Sequence, residues 1–250
     1  MIQSVDRAIR VLTALQGARR MTLTEIAARL ELPPSTVHGL VRTLVQHGMV
    51  VQEHGSSRYQ LGPAVLRLGN VYLDTLELRS KAIPWAEDLA RRTGLAVRSA
   101  VLLLDDVVII HHEPRPDGSR QMPEVGIVIP AHASALGKAI LAFRPSGERR
   151  AGPGGLRSMT GETVTTVEEL AAQLATVRSS GVAVEVEEAV LGECGLAAPL
   201  FDSSGSVAGA IGVVVPTGAW PVDDATRDAV REAARAISRE LGATSWPPPE

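Results

Sequence analysis

Apolar residues recur with helical period over most of the first eighty positions. Val5, Ala8, Ile9 and Leu12 fall at i, i+3, i+4 and i+7, one stripe of a helix, with Ser4 as its N-cap. Thr22-Leu-Thr-Glu25 reads as a capping box, and Ile26, Ala27 and Leu30 form the apolar face of the short helix behind it. Glu31-Leu32 makes a turn, and Pro33-Pro34 opens another helix with a fixed φ. There Val37, Leu40, Val41 and Leu44 repeat the stripe and leave Ser35, Thr36, His38, Gly39, Arg42 and Thr43 on the other side. Gly48 ends that helix. Met49 to Gln52 and Tyr59 to Leu61 then bracket His54-Gly55-Ser56-Ser57, a hairpin with turn residues at its tip. From Gly62 to about Ser80 one connecting helix is apolar on more than one side, so it either meets a second chain or packs on the domain that follows.

Past Lys81 the period alternates between helix and strand. Helices are expected at Pro84 to Arg92, at Ser134 to Arg144, from the Thr166-x-x-Glu169 cap to Gly181, and after Asp223. Strands are expected at Ala96 to Leu104, Val107 to His112, Val182 to Glu187, Leu196 to Phe201 and Val207 to Val215, with tight turns at Asp105-Asp106 and Asp202 to Ser206. Hairpins between strands mean an antiparallel sheet with helices packed on it, so the fold class is α+β. The Gly/Arg-rich stretch 147–161 is expected to be mobile and the tail 244–250, ending Pro-Pro-Pro-Glu, disordered. The expected division is 1–61, a connecting helix over 62–80, and a second domain over 81–243.

Helix, capped helix, tight turn, helix and hairpin make a winged helix-turn-helix. A helix of this kind fits the major groove of B-DNA, and short polar side chains at its start reach base edges. Charge agrees only when it is divided along the chain. The net charge of the 250 residues is −3, yet residues 1–60 hold seven arginines against four acids, a net +3. Phosphate contacts need such a basic unit. A helical subdomain with no DNA role is the plainer alternative. No run of about 18 apolar residues predicts a membrane span, and the polar, charged start Met-Ile-Gln-Ser-Val-Asp-Arg does not read as a secretory signal. With the single cysteine, Cys194, these point to the cytoplasm.

Several motifs in order resemble one family. Ser4-Val-Asp-Arg-Ala-Ile, Thr22-Leu-Thr-Glu-Ile-Ala, Leu32-Pro-Pro-Ser-Thr-Val-His and Tyr59-Gln-Leu-Gly resemble the DNA-binding domain of the isocitrate-lyase-regulator (IclR) family. Pro130-Ala-His-Ala-Ser-Ala-Leu-Gly-Lys138 and Gly181-Val-Ala-Val-Glu-Val-Glu-Glu188 resemble its effector-binding domain. Within the family, Tyr72 to Arg79, Trp85 with Asp88 to Arg91, His111 to Gln121 and Gly39 are most similar to the glycerol-operon regulators. The resemblance implies a GAF-like effector domain, a dimer or dimer of dimers, double-stranded operator DNA as partner, and no enzymatic activity or cofactor. It further implies repression of glycerol catabolism, relieved by glycerol 3-phosphate or glycerol.

The candidate DNA contacts are Thr22, Thr24, Ser35, Thr36, His38, Arg42 and, on the wing, Arg58. Family pocket positions fall on Gln121, Ala135, Leu136, Glu185, Gly195, Gly212 and Val214. The family's frequent cysteine aligns with Gly195, one residue after Cys194, and two common serines become Gly212 and Val214. A roomier site with fewer hydroxyls is expected. A phosphorylated polyol needs a cation and donors, and Arg115, Arg120 and His132 stand nearest in sequence. Glu185 accepts from hydroxyls but repels phosphate, and the 115–120 loop is equally readable as a solvated surface. His111-His112, His132 and Cys194 raise a metal site, but adjacent strand histidines face opposite ways and no metal-ligand spacing is present. One alternative is a regulator of the same fold, repressor or activator, of another carbon-source pathway, sensing a small organic or aromatic acid; the alternative from another class is a small-molecule enzyme with a helical appendage.

Overall fold

The structure, a computed structural model, describes residues 2–145 and 155–247, in two compact units divided between Thr75 and Leu76. Most of the 147–161 stretch lies outside the described residues.

The first unit runs α1 (Gln3–Ala18), β1 (Met21–Thr22), α2 (Leu23–Leu30), α3 (Pro34–Gln46), β2 (Val50–Gln52), β3 (Arg58–Leu61) and α4 (Pro63–Thr75). The capping box forms: the Glu25 amide donates to Thr22 Oγ1 at 3.2 Å and the Thr22 amide to Glu25 Oε2 at 2.7 Å. Ser4 does not cap α1, which begins one residue earlier with Ile2 at the cap position. Val11, Leu15, Ile26, Leu30, Val37, Val41 and Leu44 close one core, with Leu40 partly buried beside it. β3 is the middle of a three-stranded antiparallel sheet, between β1 and β2. A Cβ on Gly62 would stand 2.1 Å from Gly48 O, and the Gly62 and Ala64 amides donate to Met49 O and Gly48 O. This close approach ties the start of α4 to the turn after α3.

The second unit holds α5 (Glu77–Thr93), β4 (Ala96–Leu103), β5 (Asp106–Glu113), β6 (Val128–Pro130), α6 (Ala135–Ala142), α7 (Val167–Ser180), β7 (Ala183–Val186), β8 (Glu193–Phe201), β9 (Val207–Pro216) and α8 (Asp224–Glu240). The sheet order is β6-β5-β4-β9-β8-β7, antiparallel throughout. α6 and α7 cover one face, where Ala100, Ala183, Ala197 and Ala210 meet Leu136, Ala139, Ile140 and Leu174. α5 and α8 pack together on the other. The small β6 carries no apolar alternation of its own. Among the described residues, no helix is long and apolar enough to cross a membrane.

Two expectations are corrected here. The connecting helix does not run unbroken over 62–80. It ends at Thr75, Leu76 is extended, and α5 starts at Glu77 and continues through Pro84, which was expected to open a helix. Burial explains the division: α5 buries Leu78, Ala82, Ala86 and Leu89, whereas α4 buries no residue. Nor is the tail free from residue 244. The Trp246 indole donates to Pro199 O at 2.8 Å, and the Arg235 guanidinium lies 5.0 Å from its ring centroid.

Gly137 shows how tightly α6 is seated. A Cβ there would lie 2.1 Å from Ala131 O and 2.3 Å from Ala131 Cα, in the 3-10 turn that precedes the helix. Gly137→Ala is expected to lower stability by ~1–2 kcal/mol through backbone displacement. Gly39→Ala, with open space around it, is expected to raise stability by ~0.5–1 kcal/mol. Urea unfolding of both variants checks the contrast.

Candidate functional site

α3 divides its residues as a groove-reading helix must. Val37, Val41 and Leu44 are buried, while Ser35, His38, Gly39, Arg42 and Thr43 are exposed and Thr36 is half-buried. His38 and Arg42 are four residues apart and share one exposed face. Arg42 has no hydrogen-bond or ion-pair partner among the described residues. Thr24 is exposed at the start of α2, but the Thr22 hydroxyl is occupied by its cap. Two other arginines of the first unit, Arg20 and Arg58, are engaged. Arg20 pairs with Glu53 at 2.6 Å, and Arg58 reaches Glu25 Oε2 and Arg20 O, each at 3.5 Å. Arg58 therefore braces the wing against α2 rather than standing free at its tip.

In the second unit the register of the sheet assembles a cavity. Ala96, Val214, Gly195 and Glu185 are successive cross-strand partners, and Arg98, Gly212, Ala197 and Ala183 form the next row. Side chains alternate across a strand, so both rows face the side that α6 covers. Between that face, the start of α6 and the chain before β6 lies a cavity of about 390 Å³, at the lower end for small-molecule sites. Six residues expected from sequence line it: Ala135, Leu136, Glu185, Gly195, Gly212 and Val214. Three do not. Gln121 closes its own loop, with Oε1 accepting from the Arg115 amide at 3.1 Å. His132 is buried against Arg157 O at 3.0 Å, and Arg120 is exposed on the loop.

Among the described residues, the cation that does reach the cavity is Arg98, which no sequence motif marks. It pairs with Glu124, from the loop before β6, and with Glu193 at 3.2 Å. Nor do the glycines make the site roomier. A Cβ on Gly212 would meet Ala197 Cβ at 2.6 Å and Leu196 O at 2.5 Å; one on Gly195 would meet Ala135 Cβ at 3.1 Å. Neighbouring atoms already fill the space that larger residues would need.

Behind the cavity wall lies a buried charged pair. Lys138, on α6 and wholly inaccessible, contacts Glu188 through Nζ. Glu188 also accepts from the Val164 amide at 3.4 Å, and its own amide donates to Glu185 Oε2 at 3.0 Å. Burial pushes the Glu185 carboxyl up to about 7, against the pull of the Glu188 and Ala189 amides. Because the folded value lies above the ordinary 4.5, the native state retains a proton between about pH 4.5 and 7, and stability falls as pH rises through that window. Glu185→Gln is expected to match the parent near pH 4.5 and to exceed it by ~1–2 kcal/mol at pH 8. A stability gap that does not change with pH would show Glu185 ionised in the native protein. Cys194 is a buried free thiol with Thr217 Oγ1 at 3.9 Å, and burial pushes its pKa up.

The first unit, with its capped helix, tight turn, reading helix and two-stranded wing, is that of a winged helix-turn-helix transcriptional regulator. Residues 4–54 match the IclR helix-turn-helix domain and residues 70–239 the bacterial transcriptional regulator IclR C-terminal domain. The chain belongs to the IclR family of transcriptional regulators. It is 43% identical over 247 residues to the glycerol operon regulatory protein of Streptomyces griseus, covering 97% of both chains. It is 42% identical to the protein of the same name from Streptomyces coelicolor, again over 97% of each. Among solved structures, an IclR regulator from Alicyclobacillus acidocaldarius superimposes with a TM-score of 0.82 at 29% identity, covering 99% of this chain and 100% of that one. An IclR homologue from Microbacterium hydrocarbonoxydans, complexed with 4-hydroxybenzoate, gives 0.76 at 25% identity, covering 96% and 99%.

Proposed function

We propose that this regulator is a repressor of a glycerol catabolic operon, acting in the cytoplasm, whose operator affinity is changed by glycerol 3-phosphate or glycerol held in the cavity of the second unit. The observation that carries the DNA-binding part is the free polar face of α3, with Ser35, Thr36, His38 and Arg42 outward and the apolar stripe spent on the core. Near-full-length similarity to two glycerol operon regulators supports the pathway. The cavity, with an apolar wall and a few polar groups, supports a small-molecule effector.

The reading includes a homo-oligomer. α4 exposes Leu66, Leu68, Val71 and Tyr72, between 51% and 67% accessible, and α1 with its cap residue exposes Ile2, Val5 and Ile9. Apolar helix faces of that extent are covered by a partner in stable proteins, and a two-fold dimer matches two operator half-sites. A gel shift on the DNA upstream of its own gene, at moderate salt, tests the function. Selective binding over random DNA that weakens on adding glycerol or glycerol 3-phosphate is the expected result. Equal binding to random DNA would count against it.

A further inference from the structure

The charges around the cavity say what kind of effector it accepts. Among the described residues Arg98 is its cation, 15% exposed at the side chain, and two carboxylates already answer it: Glu124 at Nε and Glu193 at a terminal nitrogen. Glu185 brings a third carboxyl into the same lining, about half ionised at neutral pH. Opposing them, the start of α6 at Ala135 and Leu136 contributes about half a positive charge. The ledger favours negative potential. A phosphate ester brings nearly two more negative charges at neutral pH. Each unit charge placed 4 Å from a like charge near a protein surface weakens binding on the order of a thousandfold.

Hydrogen-bond capacity points the same way. Arg98 has five N–H donors, and the two carboxylates leave part of that set unused. Glu124 and Glu193 retain acceptor lone pairs. A hydroxyl accepts from the guanidinium and donates to a carboxylate at once, whereas a phosphate dianion only accepts and leaves the carboxylates facing it. Behind Glu124, the His112 ring is buried with Nε2 unpartnered, 4.0 Å from Glu124 Oε1. Burial, opposed by Glu124 and Glu193 and helped by the Arg98 charge, pulls that imidazole below its ordinary value, which disfavours a cation there for an anion to use. The rest of the wall, with Ile109, Ile127, Ile129 and Leu136, suits a carbon skeleton.

We propose that the cavity selects an uncharged, hydroxyl-bearing effector, a small polyol rather than its phosphate ester, and that the Arg98–Glu124–Glu193 cluster makes the selection. This rests on the reading of the cavity as the effector site. It also moves recognition from the 115–120 loop to a strand residue in the sheet.

The test is thermal unfolding and titration calorimetry on the full chain with neutral polyols of three to five carbons and with their monophosphates, at matched ionic strength. Two variants accompany it. Ile127→Trp fills the cavity from a position that is 45% exposed, so folding is preserved. Glu124→Gln with Glu193→Gln removes the repulsion. A polyol is expected to raise the Tm, its monophosphate to leave it unchanged, and Ile127→Trp to abolish the polyol shift. The double glutamine variant is expected to bind the monophosphate at least tenfold more tightly than the parent does. A monophosphate that stabilises the parent as much as its polyol overturns the neutral class while leaving the cavity as the effector site. Absence of any shift, or a shift that survives Ile127→Trp, overturns both.

Discussion

Replacing Lys138 by methionine is expected to cost about 3–5 kcal/mol of folding stability, read as a lowered urea midpoint at pH 7.5. Lys138 has no exposed surface, and Glu188 is only 6% accessible. Taking the ammonium away leaves a carboxylate buried beside Glu185, whose Oε2 is already held by the Glu188 and Ala189 amides. The penalty is that of an uncompensated buried charge, not the worth of one ion pair in water. Glu188→Gln in the same chain is therefore expected to restore a good part of the loss, because the residue left behind is then neutral. A Lys138→Met protein within 1 kcal/mol of the parent would show Glu188 to be protonated or hydrated. The consequence reaches the cavity, since Glu188 anchors the Val164 amide and the turn that positions Glu185.

Arg42→Ala is expected to weaken binding to the operator by about 10- to 100-fold, more than Arg20→Ala does. The physical difference lies in what each arginine already holds. Arg20 is committed to Glu53 and stands outside α3, whereas Arg42 is exposed, without a partner among the described residues, and four residues from His38 on the reading face. With Gly39 supplying no side chain, His38 and Arg42 carry the longest reach on that face. Fluorescence anisotropy on the upstream DNA, with a scrambled duplex beside it, separates the roles. A loss confined to the operator marks base reading, and an equal loss on both duplexes marks a phosphate contact. Equal losses for Arg42→Ala and Arg20→Ala would place the reading face elsewhere.

The two predictions differ in how visible their residues are in the sequence. Arg42 is legible because the period of Val37, Val41 and Leu44 assigns it to the outer face from residues within one or two turns. Lys138 sits in a helix whose residues are buried on every side, so no stripe marks it, and its partner Glu188 is 50 residues away. Arg98 is harder still. It stands within a run of strand residues, and Glu193 is 95 residues from it. The cations nearest the pocket motif in sequence turned elsewhere. Arg120 stays on the surface, and Arg115 belongs to a loop closed by Gln121.

The sequence by itself determined most of the elements and their order, though not the short strands β1 and β6 or the division of α4 from α5. Caps such as Thr22 and Asp223, the stripes of α2 and α3, and the hairpin turns act over four to seven residues, so local pattern is enough to specify them. The tertiary structure decided three things that pattern does not hold. It set the break at Leu76, because burial begins at Leu78. It pinned Trp246 to Pro199 O, where composition favoured a free tail. It also chose the charges of the cavity, by bringing Arg98, Glu124, Glu185 and Glu193 to one side of a sheet. Strand register joins residues without regard to their distance along the chain, and a cavity takes its chemistry from whichever side chains that register makes neighbours.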